Sequence, residues 1–324
     1  MLRRLIVICL LLGCVTACDA GASLIRGQNS PIGDYWLTEP ATDADRLELL
    51  RRARNIDPCA FLPRSILEDI GTVVTIHHPG GIGCNATVAA AESGAQSTFR
   101  IAALVSGGSG AAYSPKATVT EIDGITVATQ RDVDLVEGGR EDHLTSRRCW
   151  MRAVLPSALV FLLDTTTPAG TDPCTHGKDV LWAAMSEWSR EPALGSSPDS
   201  ELTVVTGADP CAVLPLLGVT TPASDQYLWA CNFVYRDVKV HLSYMHLAEG
   251  ARPEQQIDRV GTHPIYHDRV GDEVVYYAEL GPPMANSDPS SVLGPVSPML
   301  TVSGTDPAVV DEVLRRTLSL FPEQ

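Results

Sequence analysis

Asp57-Pro58-Cys59-Ala60-Phe61-Leu62-Pro63 returns as Asp209-Pro210-Cys211-Ala212-Val213-Leu214-Pro215, and Cys84-Asn85 returns as Cys231-Asn232. Farther along, Gly170-Thr171-Asp172-Pro173-Cys174 is echoed by Gly304-Thr305-Asp306-Pro307-Ala308. The offsets are 152, 147 and 134 residues, a fall that deletions in the second copy explain. One block recurring in this order is one domain duplicated. The copies span residues 54–192 and 205–322, and residues 193–204, which open Ala193-Leu194-Gly195-Ser196-Ser197-Pro198, have the composition of a linker.

Asp-Pro-Cys has a mechanical meaning. Asp as N-cap accepts hydrogen bonds from first-turn amides, Pro at the next position has its φ already set for a helix, and Cys then sits in the first turn, where it can tie the helix start to a strand. Each copy also closes on a helical stripe: Leu181, Ala184, Met185 and Trp188 in the first, and Val310, Val313, Leu314, Thr317 and Leu318 in the second. Between them lie strand-like runs at 72–78, 98–105, 118–130 and 158–164, then at 227–235, 238–245, 273–279 and 299–303. The expectation is an α+β protein of two tandem copies, each an antiparallel sheet flanked by N- and C-terminal helices and stapled by disulfides.

Asp57-Pro58-Cys59, Cys84-Asn85 and the closing Asp172-Pro173-Cys174 helix resemble a family of actinobacterial cell-envelope lipoprotein domains of unknown function. That family is reminiscent of the extracellular sensor domains of some mycobacterial serine/threonine kinases. The resemblance implies a compartment and a fold, and no activity. Duplication departs from the family's single-copy form, and the second copy lacks one cysteine pair.

The chain's start agrees with that compartment. Arg3-Arg4 precede an apolar run of 13 residues, Leu5 to Ala17, which suits a secretory signal and is shorter than the about 20 residues that span a bilayer. Val15-Thr16-Ala17-Cys18 resembles a lipobox, so residues 1–17 read as a signal peptide, Cys18 as the lipid-bearing first mature residue, and 18–53 as anchor and linker. Leu11-Leu12-Gly13-Cys14 also fits, but cleavage there leaves only nine apolar residues and carries a second cysteine into the mature terminus. Two or more acyl chains on Cys18 give stable anchoring.

Nine cysteines less Cys9, Cys14 and Cys18 leave six, an even number in a disulfide-permissive compartment. Cys59 and Cys84 correspond to Cys211 and Cys231, so the pair present in both copies is expected to bond in both. Cys149 and Cys174 occur only in the first copy; Cys174 becomes Ala308, and counting places the region of Cys149 at 288–291. Partners tend to vanish together, which pairs Cys149 with Cys174.

Composition is 44% hydrophobic with net charge −15, or −17 once Arg3 and Arg4 leave with the signal. A globular, acidic chain disfavours nucleic-acid binding and electrostatic docking on anionic lipid. No nucleophile elbow, His-Glu-x-x-His, phosphate loop or dinucleotide fingerprint occurs. Gly80-Gly81-Ile82-Gly83 and Gly107-Gly108-Ser109-Gly110 read as hairpin turns, and the charged run 137–142 as a solvated tip. His77-His78 and the pair His263 and His267 lack the further ligands a metal needs, so no metal or cofactor is expected. In 227–235, Tyr227, Trp229, Phe233 and Tyr235 alternate onto one strand face with Cys231, which reads either as a core-facing disulfide strand or as an aromatic ligand groove.

The function expected is thus a non-catalytic ligand- or partner-binding module of the envelope, lipid-anchored on the extracytoplasmic face of the cell membrane. A secreted hydrolase with a dispersed site, or a structural scaffold, is the alternative.

Overall fold

The computed structural model describes residues 31–79, 83–105, 114–135, 144–253, 255–285 and 293–321. The signal segment, Cys18, the charged run 137–142 and most of both glycine clusters lie outside them.

In chain order the elements are α1 (Asp34–Leu37), α2 (Asp43–Arg54), α3 (Arg64–Ile70), β1 (Thr72–His77), β2 (Gly83–Ala89), β3 (Gln96–Val105), β4 (Thr118–Ile122), β5 (Ile125–Arg131), β6 (Ser146–Val154), β7 (Leu159–Pro168) and α4 (Pro173–Trp188). The second half follows with α5 (Leu214–Leu217), β8 (Ala230–Tyr235), β9 (Val238–Ala248), β10 (Gln256–Val260), β11 (His263–Val270), β12 (Glu273–Glu279), β13 (Val296–Gly304) and α6 (Pro307–Leu318). The protein is α+β, with two separate antiparallel sheets and three disulfides: Cys59–Cys84, Cys149–Cys174 and Cys211–Cys231.

The two strand orders are the same path. The first sheet runs β1-β2-β3-β7-β6-β5-β4 and the second β8-β9-β13-β12-β11-β10, so the second repeats the first without its β1 edge. The shared disulfide sets the correspondence: Cys84 on β2 and Cys231 on β8 bond back to the preceding Asp-Pro-Cys. Following the register from Cys84 through Ile101, Leu163 and Met151, and from Cys231 through Leu242, Val302 and Tyr276, matches the sheets residue by residue. Cys149 then corresponds to Val274, not to 288–291, because β12 is the counterpart of β6 and the longer β12–β13 connection displaces a count made backwards from the last helix. Val274 and Ala308 thus stand where the first copy has its second disulfide.

Both closing stripes face a core. Leu181, Ala184, Met185 and Trp188 are buried beneath the first sheet, and Val310, Val313, Leu314, Thr317 and Leu318 beneath the second. Asp172 and Asp306 cap their helices through the amides of Cys174 and Ala308. Asp209 caps a 3-10 turn, Pro210–Val213, through Cys211 N. Asp57 departs from the expectation: it caps a turn rather than a helix, because Pro63 interrupts the segment and α3 begins only at Arg64.

Three further differences have local causes. The run 118–130 is a hairpin, β4–β5, turned at Asp123-Gly124, both at positive φ, the pattern an Asp-Gly two-residue loop favours. Strands β2, β6, β10 and β11 carry alternation that the expected runs omitted. Residues 32–53 are not a free linker: Ile32, Trp36, Leu49, Leu50 and Ala53 are buried in the first core, with Trp36 edge-on to Trp188.

Candidate functional site

Alternation makes the first sheet two-faced. Its helix-covered face supplies the core, including Cys84, Phe99, Ile101, Phe161 and Leu163. Its opposite face carries two rows across the strands: Asn85, Arg100, Asp164, Trp150 and Gln130, then Gly83, Ala102, Leu162, Arg152 and Ala128. With Leu104 beside them, these rows floor a cleft of about 690 Å³, within the range of small-molecule sites. Trp229, Tyr244, Met245 and His246 of the second half close one side.

The closure depends on a short splice between the halves. Leu228 is buried in the first core although it belongs to the second copy, so the next residue, Trp229, is turned to the cleft with 44% of its surface exposed. Its carbonyl accepts the Tyr244 amide. Arg54, buried at the end of α2, donates to the carbonyls of Tyr227 and Leu228 and ion-pairs with Asp209. Arg46 of α2 donates to the Ala223 carbonyl. On the other side of the seam, the carboxylate of the fully buried Asp57 accepts from Gly195 N, Ser197 N and Ser200 Oγ, pinning residues 193–204 against the first copy rather than leaving them as a loose linker.

His78 and His246 also meet at this seam, ring to ring at 5.6 Å, edge to face. His78 Nδ1 lies 2.9 Å from the Glu201 carbonyl, and His246 Nε2 lies 3.0 Å from Thr203 Oγ1. Burial first, and His78 second, lower the pKa of His246 to about 4, which keeps it neutral at ordinary pH.

Charge in the cleft is uneven. Arg148 holds both oxygens of Asp164 and lies over the Trp150 ring, 4.8 Å from its centroid. Arg100 is exposed and, among the described residues, makes no hydrogen bond or ion pair. Asp164 is the one acidic residue among the described residues that line the cleft.

The aromatic run separates. Phe233 and Cys231 face the second core; Tyr235 packs at its margin with its hydroxyl on Glu312; Tyr227 contributes its carbonyl to Arg54; Trp229 alone of the four lines the cleft. The cause is that β8 begins at Ala230, so alternation does not run back through Trp229 and Tyr227. The floor of the cleft has no local signal in the sequence: β2 and β6 lie outside the strand-like runs, and the outward residues of β3 and β7 become neighbours only through the register. His263 Nδ1 lies 2.9 Å from the Glu279 carbonyl, and His267 is exposed on the same strand. Among the described residues no group of three or more His, Cys, Asp or Glu is placed to hold a metal ion, and no helix is long and apolar enough to cross a membrane. Compared with protein-family models, curated proteins and solved structures, the chain matches none.

Proposed function

We propose that the protein is a lipid-anchored, non-catalytic ligand-binding module on the extracytoplasmic face of the cell membrane, which takes its ligand in the cleft between the first sheet and Trp229. The observation that carries this reading is the apolar strip on the outward face of the first sheet. Ala102, Leu104, Leu162 and Ala128 lie outward on a sheet whose other face is already packed, and among the described residues they line the cleft together with Pro79, Ser114 and Ala117 of the first copy and Trp229, Tyr244, Met245 and His246 of the second. The compartment rests on the basic start, the apolar run and the lipobox-like Val15-Thr16-Ala17-Cys18. Three disulfides agree with an oxidising location.

Two measurements test it. The intact mass of membrane-extracted protein is expected to begin at Cys18 with added acyl chains, and Cys18→Ala to abolish membrane retention; an unlipidated terminus downstream of Asp19 overturns the anchor. Ala102→Trp, which fills the cleft without touching the core, is expected to remove ligand binding while the unfolding midpoint holds; binding that survives it overturns the site.

A further inference from the structure

We infer that the cleft's ligand is an amphiphile with an apolar body and one anionic headgroup, the headgroup held by Arg100. This rests on the cleft being the ligand site and adds what it selects. Ala102, Leu104, Leu162 and Ala128 make an apolar strip along the floor, which favours an apolar body by the area it removes from water. Arg100, which makes no hydrogen bond or ion pair among the described residues, offers paired donors suited to a carboxylate, sulfonate or phosphate. The carboxylate opposite it in register, Asp164, is instead held through both oxygens by Arg148. Among the described residues that line the cleft Asp164 is the one carboxylate, and Arg148 already engages it, so Arg100 stands as a local cation on a chain of net charge −15. A local cation in an acidic protein draws anions where the rest of the surface repels them.

The second copy shows that this face is not a by-product of the fold. At the positions of Arg100, Asp164 and Trp150 it has His241, Ser303 and Val275, and at those of Ala102 and Leu162 it has Ser243 and Thr301. Ser243 and Thr301 bond each other at 2.6 Å in a buried, polar contact. The same sheet therefore tolerates a self-satisfied face, and the first copy instead carries an apolar strip with an exposed cation beside it.

The test compares two fluorescent probes that differ by one sulfonate, 1-anilinonaphthalene-8-sulfonate and N-phenyl-1-naphthylamine, on the full mature chain at neutral pH, with dodecanoate and dodecyltrimethylammonium as competitors. The sulfonate probe is expected to bind at least about tenfold more tightly, since a charge-assisted hydrogen bond separates the two. Arg100→Gln is expected to bring the two affinities together, with circular dichroism unchanged because Arg100 is exposed. Dodecanoate is expected to displace the probe and the ammonium detergent not to. Equal affinities in the wild type, or no effect of Arg100→Gln, overturn the anionic headgroup while leaving the cleft. Binding of both probes that Ala102→Trp leaves intact, or no binding of either, overturns the cleft itself.

Discussion

Arg54 Nη1 lies 3.1 Å from Asp209 Oδ1, joining the last turn of a first-copy helix to the Asp-Pro-Cys of the second. Arg54 is 8% exposed and Asp209 47%, so the pair is uneven: the cation is committed to the seam, while the carboxylate retains water. Arg54 also serves the Tyr227 and Leu228 carbonyls, which set the direction of Trp229. Arg54→Ala is expected to cost about 2–4 kcal/mol because it leaves these acceptors without their donor. Asp209→Asn is expected to cost under about 1 kcal/mol, the range of a partly exposed pair. Urea unfolding of both variants gives the order, and a reversed order contradicts this assignment.

The counterpart of Asp209 in the first copy, Asp57, is used differently. It is fully buried and accepts from Cys59 N, Ala60 N, Gly195 N and Ser200 Oγ. Asp57→Ala strands several donors at once and is expected to destabilise by roughly 3 kcal/mol or more. It should also raise protease cleavage within 193–204, which limited proteolysis reports; cleavage at the wild-type rate contradicts the pinning.

Much of the fold was legible and the site was largely not, for one physical reason. Cysteines, Asp-Pro pairs and 3.6-residue stripes are local signals, so Cys59–Cys84, Cys211–Cys231 and the Leu181 and Val310 stripes could be read along the chain. Arg100, Asp164 and Trp150 come from three strands, and only the register β3-β7-β6 makes them neighbours. Alternation groups Trp229 with Phe233, because nothing local tells that Leu228 crosses into the other copy's core. Trp36 carries no local signal for a similar reason: its partner, Trp188, lies at the far end of the first copy.

Duplication offers its own control for the disulfides. The second copy has Val274 and Ala308 where the first has Cys149 and Cys174, so Cys149→Val with Cys174→Ala is a replacement this fold already uses. The double variant is expected to fold and to lose up to about 3 kcal/mol from opening a 25-residue loop. Calorimetry under non-reducing conditions measures this, and failure to fold contradicts the residue matching. Non-reducing peptide mapping of the wild type is expected to return three intra-copy bridges and no bridge between copies.

The seam histidines predict acid sensitivity with a definite sign. His246 has a folded pKa of about 4 against 6.5 for the free side chain, so the unfolded chain binds its proton first. Its stabilising contribution is whole above pH 6.5 and is lost as pH falls from 6.5 towards 4, by about 3 kcal/mol for this shift. Chemical denaturation across that interval is expected to show the loss in the wild type and a shallower dependence in His246→Gln. Equal slopes contradict the placement of His246 beside His78.

The central claim is that both copies contribute to one ligand site. A fatty acid bearing a diazirine on its chain, bound to the full mature protein, irradiated and mapped by peptide mass spectrometry, tests it most directly. The account predicts label on the 100–104 or 150–164 segments of the first sheet together with 229–246 of the second half, and none of it after Ala102→Trp. Label confined to one half, or label that survives Ala102→Trp, would contradict it.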